Sequence, residues 1–174
     1  MTDQPLSRIR RIAPPLEVTM RRGGIGQASD RSGMPSSYVC YHEAGHAVAY
    51  LAAGRRWAQV LELAADGETG LCRVRHRRPD PIAALCGYAS EYRARFGPGW
   101  HPTKPALRLH MHLADFRAAA DALGTDDVAA LLAAWNAAAT LVDLKWSLVA
   151  LLAETLQRTG RLTGQDVEAI AGAR

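Results

Sequence analysis

The chain has 174 residues, 48% of them apolar and 22% charged, with a formal net charge of +4. That length suits one domain with a real core and a tail, and no apolar run approaches the ~20 residues needed to span a bilayer. The basic excess is nearly all arginine and makes no case for nucleic acid.

Residues 1–35 read as a basic, disordered tail. They hold Pro5, Pro14, Pro15 and Pro35, a Gly23-Gly24-Ile25-Gly26 stretch and no sustained periodicity. The sharper alternative is a basic arm for an anionic partner. No apolar h-region follows the arginines, so no signal peptide is expected. No Gly-Lys-Ser/Thr follows the glycines, so they are not a phosphate loop, and no ATPase module is expected. Residues 36–174 form the expected domain.

Ser36 or Ser37 can cap a helix running from Tyr38 to about Ala53, stopped by Gly54. Residues 57–63 and 71–77 predict two strands joined at Asp66-Gly67-Glu68 into a hairpin. A helix is expected over 82–96, closed by Gly97-Pro98-Gly99. Pro105 suits the first position of a helix to Leu123, with Gly124 as its stop. Thr125 then caps a long helical stretch to about Arg158, with Asp126 and Asp127 in its first turn. Thr163-Gly164-Gln165-Asp166 starts a last short helix. The expected fold class is α+β, mainly α-helical, with a small β-sheet. Trp135 and Trp146 read as packing residues. Cys40, Cys72 and Cys86 are odd in number and never form C-x-x-C, which fits a reducing cytoplasm better than a disulfide framework.

His42-Glu43-Ala44-Gly45-His46 is the H-E-x-x-H pattern. Residues four apart on a helix stack on one face, so His42 and His46 can present two imidazoles to one zinc ion. Glu43, about 100° around the helix, can reach a metal-bound water without being a ligand. It would take that water's proton during attack on a carbonyl and pass it to the leaving amine. Gly45 in mid-helix is disfavoured by roughly 1 kcal/mol against alanine, which implies close approach of another backbone.

The surroundings resemble the protease domain of the FtsH family of ATP-dependent zinc metalloproteases. Tyr41-His-Glu-Ala-Gly-His-Ala-Val-Ala49 carries the most specific likeness. Val60-Leu-Glu-Leu63 with Gly70-Leu71, Leu85-Cys-Gly-Tyr-Ala-Ser-Glu91 with Phe96-Gly97, and Ala114-Asp-Phe-Arg-Ala-Ala119 follow in that family's order. So does Leu162-Thr-Gly-Gln-Asp-Val167 near the end, and the likeness spans residues 38–170. Tyr88 stands for a usual glycine and Ala114 for a usual asparagine.

The resemblance implies a zincin-like metalloprotease domain whose small sheet lies beside the H-E-x-x-H helix, with Asp115 as third zinc ligand. Glu91, His110 and His112 compete for that place, and Glu91 could instead support a ligand. The implied function is ATP-independent, zinc-dependent hydrolysis of peptide bonds in the cytoplasm. One Zn2+ per chain is held by His42, His46 and Asp115, with Glu43 catalytic. Peptides or unfolded proteins would be the substrates, and a separate ATPase or self-association the partners. The rival is a catalytically silent, zinc-stabilised protein-binding or regulatory module. Substrate would add as a strand along the hairpin's edge. Leu71, Arg73, Arg75 and Arg77 alternate onto one face of that hairpin, as a charged solvent face or a site for acidic substrates.

Overall fold

The computed structural model describes residues 17–20, 37–54, 60–65, 69–75, 80–99 and 113–173. It is mainly helical with a small antiparallel sheet, in agreement with the α+β expectation.

In chain order the elements are β1 (Glu17–Met20), α1 (Ser37–Ala52), β2 (Val60–Leu63), β3 (Gly70–Arg75) and α2 (Pro81–Phe96). After these come α3 (Ala114–Leu123), α4 (Val128–Leu144), α5 (Trp146–Thr159), β4 (Arg161–Thr163) and α6 (Gly164–Gly172). Among the described residues no single helix is long and apolar enough to cross a membrane.

Local chemistry accounts for most boundaries. Asp80 caps α2 by accepting hydrogen bonds from the Ile82 and Ala83 amides at 3.0 and 3.1 Å, with Pro81 in the first turn. Gly124 and Gly160 end α3 and α5 in the left-handed region, at φ 66° and 71°. Thr163 and Asp166 close a reciprocal capping box on α6.

The expected cap at Thr125 falls instead at Asp127, whose carboxylate accepts from the Ala130 amide. Thr125 Oγ1 accepts from the Asp127 amide, so this residue shapes the turn before the helix. The long stretch to Arg158 breaks at Lys145 into α4 and α5. The expected helix start at Pro105, like His110 and His112, lies outside the described residues. Leu113 is extended at φ −74° and ψ 144°, so α3 as described begins at Ala114.

The sheet order is β1-β3-β2-β4, all neighbours antiparallel. The expected hairpin is present, with Val60 opposite Arg73 and Leu63 opposite Gly70. Its edges are not open, however. Residues 17–20, expected in the tail, pair along β3 with Val18 opposite Val74. Residues 161–163, in a stretch with no expected strand, pair along β2 with Leu61 opposite Leu162. The expected open edge is therefore corrected: a strand cannot add to β2 or β3 while both carry a neighbour. Cys72 and Val74 of β3 are buried while Leu71 and Arg73 are half-buried, the alternation a pleated strand imposes. The side chains of Arg75 and Arg77 lie outside the described set.

α1 is the central element, packed on α2, α5 and the β2–β3 hairpin. Trp135, Phe116, Leu131, Leu152 and Leu156 fill the core beyond it, and Trp135 is 1% exposed. Phe116 stacks on Trp135 with centroids 5.9 Å apart, and Tyr88 lies 5.6 Å from Phe116. Half-buried Trp146 stacks on Tyr41 at 5.3 Å. Both tryptophans are packing residues, as expected.

Candidate metal centre

Four polar side chains sit in the deepest layer between α1, α2 and α3. His42, Glu43, His46 and Asp115 are each 0–2% exposed. Ionisable groups are rarely buried so completely without a partner or a metal.

The helical repeat brings His42 and His46 together, with their Nε2 atoms 3.1 Å apart. Asp115 arrives from α3. Its Oδ2 is 2.9 Å from His42 Nε2 and 3.5 Å from His46 Nε2. Two features aim it. Leu113, at the N-cap of α3, is itself extended, and Phe116, fully buried beside Asp115, anchors the first turn of α3 in the aromatic core. Asp115 is therefore in the first turn and not in a helix interior, where the sequence reading put it. A carboxylate is favoured there by the helix dipole.

His42, His46 and Asp115 could hold a metal ion. The three donor separations, 2.9, 3.1 and 3.5 Å, bracket the roughly 3.3 Å edge of a tetrahedron with zinc–ligand bonds near 2.05 Å. The space in front of them is also reserved. A Cβ added at Gly87 of α2 would collide with Nε2 of both histidines. No other residue type leaves that point open. In the sequence Gly87 carries one signal of its own, a glycine in mid-helix where alanine would be preferred.

Each imidazole is oriented through its other nitrogen. His46 Nδ1 lies 2.8 Å from the Ala83 carbonyl, and His42 Nδ1 lies 3.3 Å from Glu91 Oε2. When Nδ1 carries the proton and donates, the Nε2 lone pair is free for a metal. Glu91 thus faces the nitrogen of His42 that points away from the candidate donor set. Its Oε1 lies 2.7 Å from Arg95 Nη2, a partner the sequence reading did not pick out although the spacing is i, i+4.

Charge follows this geometry. Burial opposes charge on His42, but its hydrogen bonds to Asp115 and Glu91 prevail and raise it to about 10. Burial works against ionisation of Asp115 too, yet the two imidazoles hold its carboxyl well below the usual carboxylate range.

Glu43 is different. Burial pushes it up to about 7, against the pull of the imidazoles. Among the described residues neither of its oxygens has a hydrogen-bond partner. Gly70, at the start of β3, lies against it: a Cβ there would come within 2.7 Å of Glu43 Oε1. A Cβ at Gly45 would overlap the Cys86 carbonyl and the Ser90 hydroxyl, which is the close backbone approach expected for that glycine. Cys40 is buried, as expected, and its thiol is raised to about 11 chiefly by burial.

Comparison with protein-family models and with curated proteins finds no match.

Proposed function

We propose that this chain is a zinc-dependent metallopeptidase with a zincin-like, FtsH-like domain, cleaving extended peptides or unfolded proteins in the cytoplasm without ATP. One observation carries the reading. Glu43 is fully buried, has no hydrogen-bond partner for either oxygen among the described residues, and stands beside three side chains that could hold a metal. A structural zinc site takes four protein ligands, whereas a catalytic one takes three and keeps a position open. A buried carboxylate with no partner is costly unless it acts on something in that position.

His42 and His46 would bind zinc through Nε2 and Asp115 through Oδ2. Bound there, zinc would polarise the scissile carbonyl and lower the pKa of a water. Glu43 would receive that water's proton on a carboxylate oxygen and deliver it to the departing amine. Its raised pKa, about 7, suits a group that must both accept and release a proton near neutrality. Gly70 and Gly87 would keep side chains out of the reaction space. A separate ATPase, or self-association, would be the partner for substrates that need unfolding.

A second reading is a zinc-stabilised binding module without catalysis. It is favoured by the near-complete burial of all four groups and by the neighbours on both edges of the hairpin. Glu43→Gln separates the two. On the peptidase reading the variant retains one zinc per chain and loses at least about 100-fold in cleavage of an unstructured fluorogenic peptide. Full activity in that variant would refute the role given to Glu43. A wild-type protein that binds zinc and cleaves nothing would favour the binding module.

A further inference from the structure

The two candidate histidines are held in unlike ways. His46 Nδ1 meets a main-chain carbonyl, Ala83 O, which cannot move without moving α2. His42 Nδ1 meets a side chain, Glu91, whose position depends on what holds it in turn. The antiparallel α1–α2 seam shows what that is. Positions 38, 42 and 46 of α1 face positions 95, 91 and 87 of α2, each helix stepping by one turn. Gly87 leaves room at the innermost rung, Glu91 orients His42 at the middle one, and Arg95 covers Tyr38 at the rim.

Arg95 joins the last two rungs. Its Nη2 lies 2.7 Å from Glu91 Oε1, and its guanidinium carbon lies 4.5 Å from the centre of the Tyr38 ring. Tyr38 is one turn before His42 on α1. The circuit His42–Glu91–Arg95–Tyr38 therefore closes on itself through the helix backbone. Glu91 is 3% exposed, whereas Tyr38 is 37% exposed, so the circuit runs from the metal site to solvent.

We infer that Arg95 is a positioning residue for the metal centre: it fixes the Glu91 carboxylate so that Oε2 orients His42 for metal binding. The guanidinium donates in a fixed plane, and stacking on Tyr38 limits the directions that plane can take. Glu91 then presents its second oxygen to His42 in one orientation. Outer partners of this kind typically change metal affinity 10- to 100-fold.

The same helix supplies an internal control. Arg93 also pairs with a carboxylate, Asp143, and also covers an aromatic ring, Trp146 at 4.5 Å. Among the described residues it pairs with neither a candidate ligand nor Glu91. Arg93 and Arg95 thus make the same two kinds of contact, and only one of them connects to the metal site.

The inference rests on the metal reading of His42, His46 and Asp115, and the test keeps the two apart. Full-length protein, stripped of metal, is titrated with zinc against a chromogenic chelator. Wild type, Arg95→Gln, Arg95→Lys and Arg93→Gln are compared, with cobalt visible spectra as a second readout. Arg95→Gln is expected to weaken zinc binding about 10-fold and to alter the cobalt spectrum. Arg95→Lys keeps the charge but not the planar, ring-stacked fork and should recover only part of that loss, and Arg93→Gln should stay within about twofold of wild type. An Arg95→Gln affinity equal to wild type, or an equal loss in Arg93→Gln, would overturn the positioning role while leaving the metal reading intact. A wild-type protein that binds no zinc would remove the metal reading and the inference with it.

Discussion

The α1–α2 seam and the wall formed by the inward faces of α4 and α5 are both buried and are built on opposite plans. The wall is apolar: Leu131, Trp135, Ala138 and Val142 of α4, with Val149, Leu152, Ala153 and Leu156 of α5. The seam buries His42, Glu43, His46, Ser90 and Glu91 and carries Gly45 and Gly87 inside its helices. Apolar burial stabilises without regard to direction, whereas buried polar groups stabilise only when each is matched. The wall thus holds the fold, and the seam accepts a cost so that three donor atoms can meet at one point. Trp135, Phe116 and Tyr88 join the two, a run of rings reaching to within 4.7 Å of the His42 ring.

If that division is right, damage to the two regions should look different. Trp135→Ala should cost about 3–5 kcal/mol of unfolding free energy, read from denaturant melts, with or without metal. A loss that appears only in the metal-bound protein would break the comparison. In the seam, saturating zinc at 100 times its dissociation constant should add about 2.7 kcal/mol to stability. Hydrogen exchange should show that gain as slower opening of α1, α2 and α3, and an even gain across α4 and α5 would blur the distinction. Gly87→Ala should abolish zinc binding in a competition titration, because its Cβ takes the ligand side of the site. Retained binding would mean that the metal sits elsewhere. The smallest effect is expected far from the seam. Asp127→Ala removes the α4 cap and should cost about 1 kcal/mol in both metal states, which thermal melts at matched zinc levels would check.

What could be read from the chain follows from how local each signal is. The α1 helix and the shared face of His42 and His46 come from a five-residue pattern, since one helical turn sets their spacing. The caps at Asp80 and Thr163 are equally local, although only the second was expected. Asp115 lies 69 residues beyond His46 (115 minus 46), and no periodicity connects them. It was named through resemblance, with Glu91 and the two histidines near 111 left as competitors. Glu91 faces Nδ1 of His42 and not Nε2, which places it outside the candidate donor set. β1 and β4, at four and three residues, are too short to show an alternating pattern. Their existence depends on pairing with distant strands. Gly87 was visible as a mid-helix glycine, but its meaning depends on what stands opposite it in α1. Arg95 likewise reads from sequence as an ordinary i, i+4 partner of Glu91; only the seam connects it to His42.

His42 Nε2, His46 Nε2 and Asp115 Oδ2 are expected to meet at one metal. A crystal grown with zinc and measured on both sides of the zinc absorption edge tests this directly. A single anomalous peak is expected, within bonding distance of His42 Nε2, His46 Nε2 and Asp115 Oδ2, with Glu43 and Glu91 outside that distance. A peak coordinated by Glu91, or by four protein side chains, would contradict it.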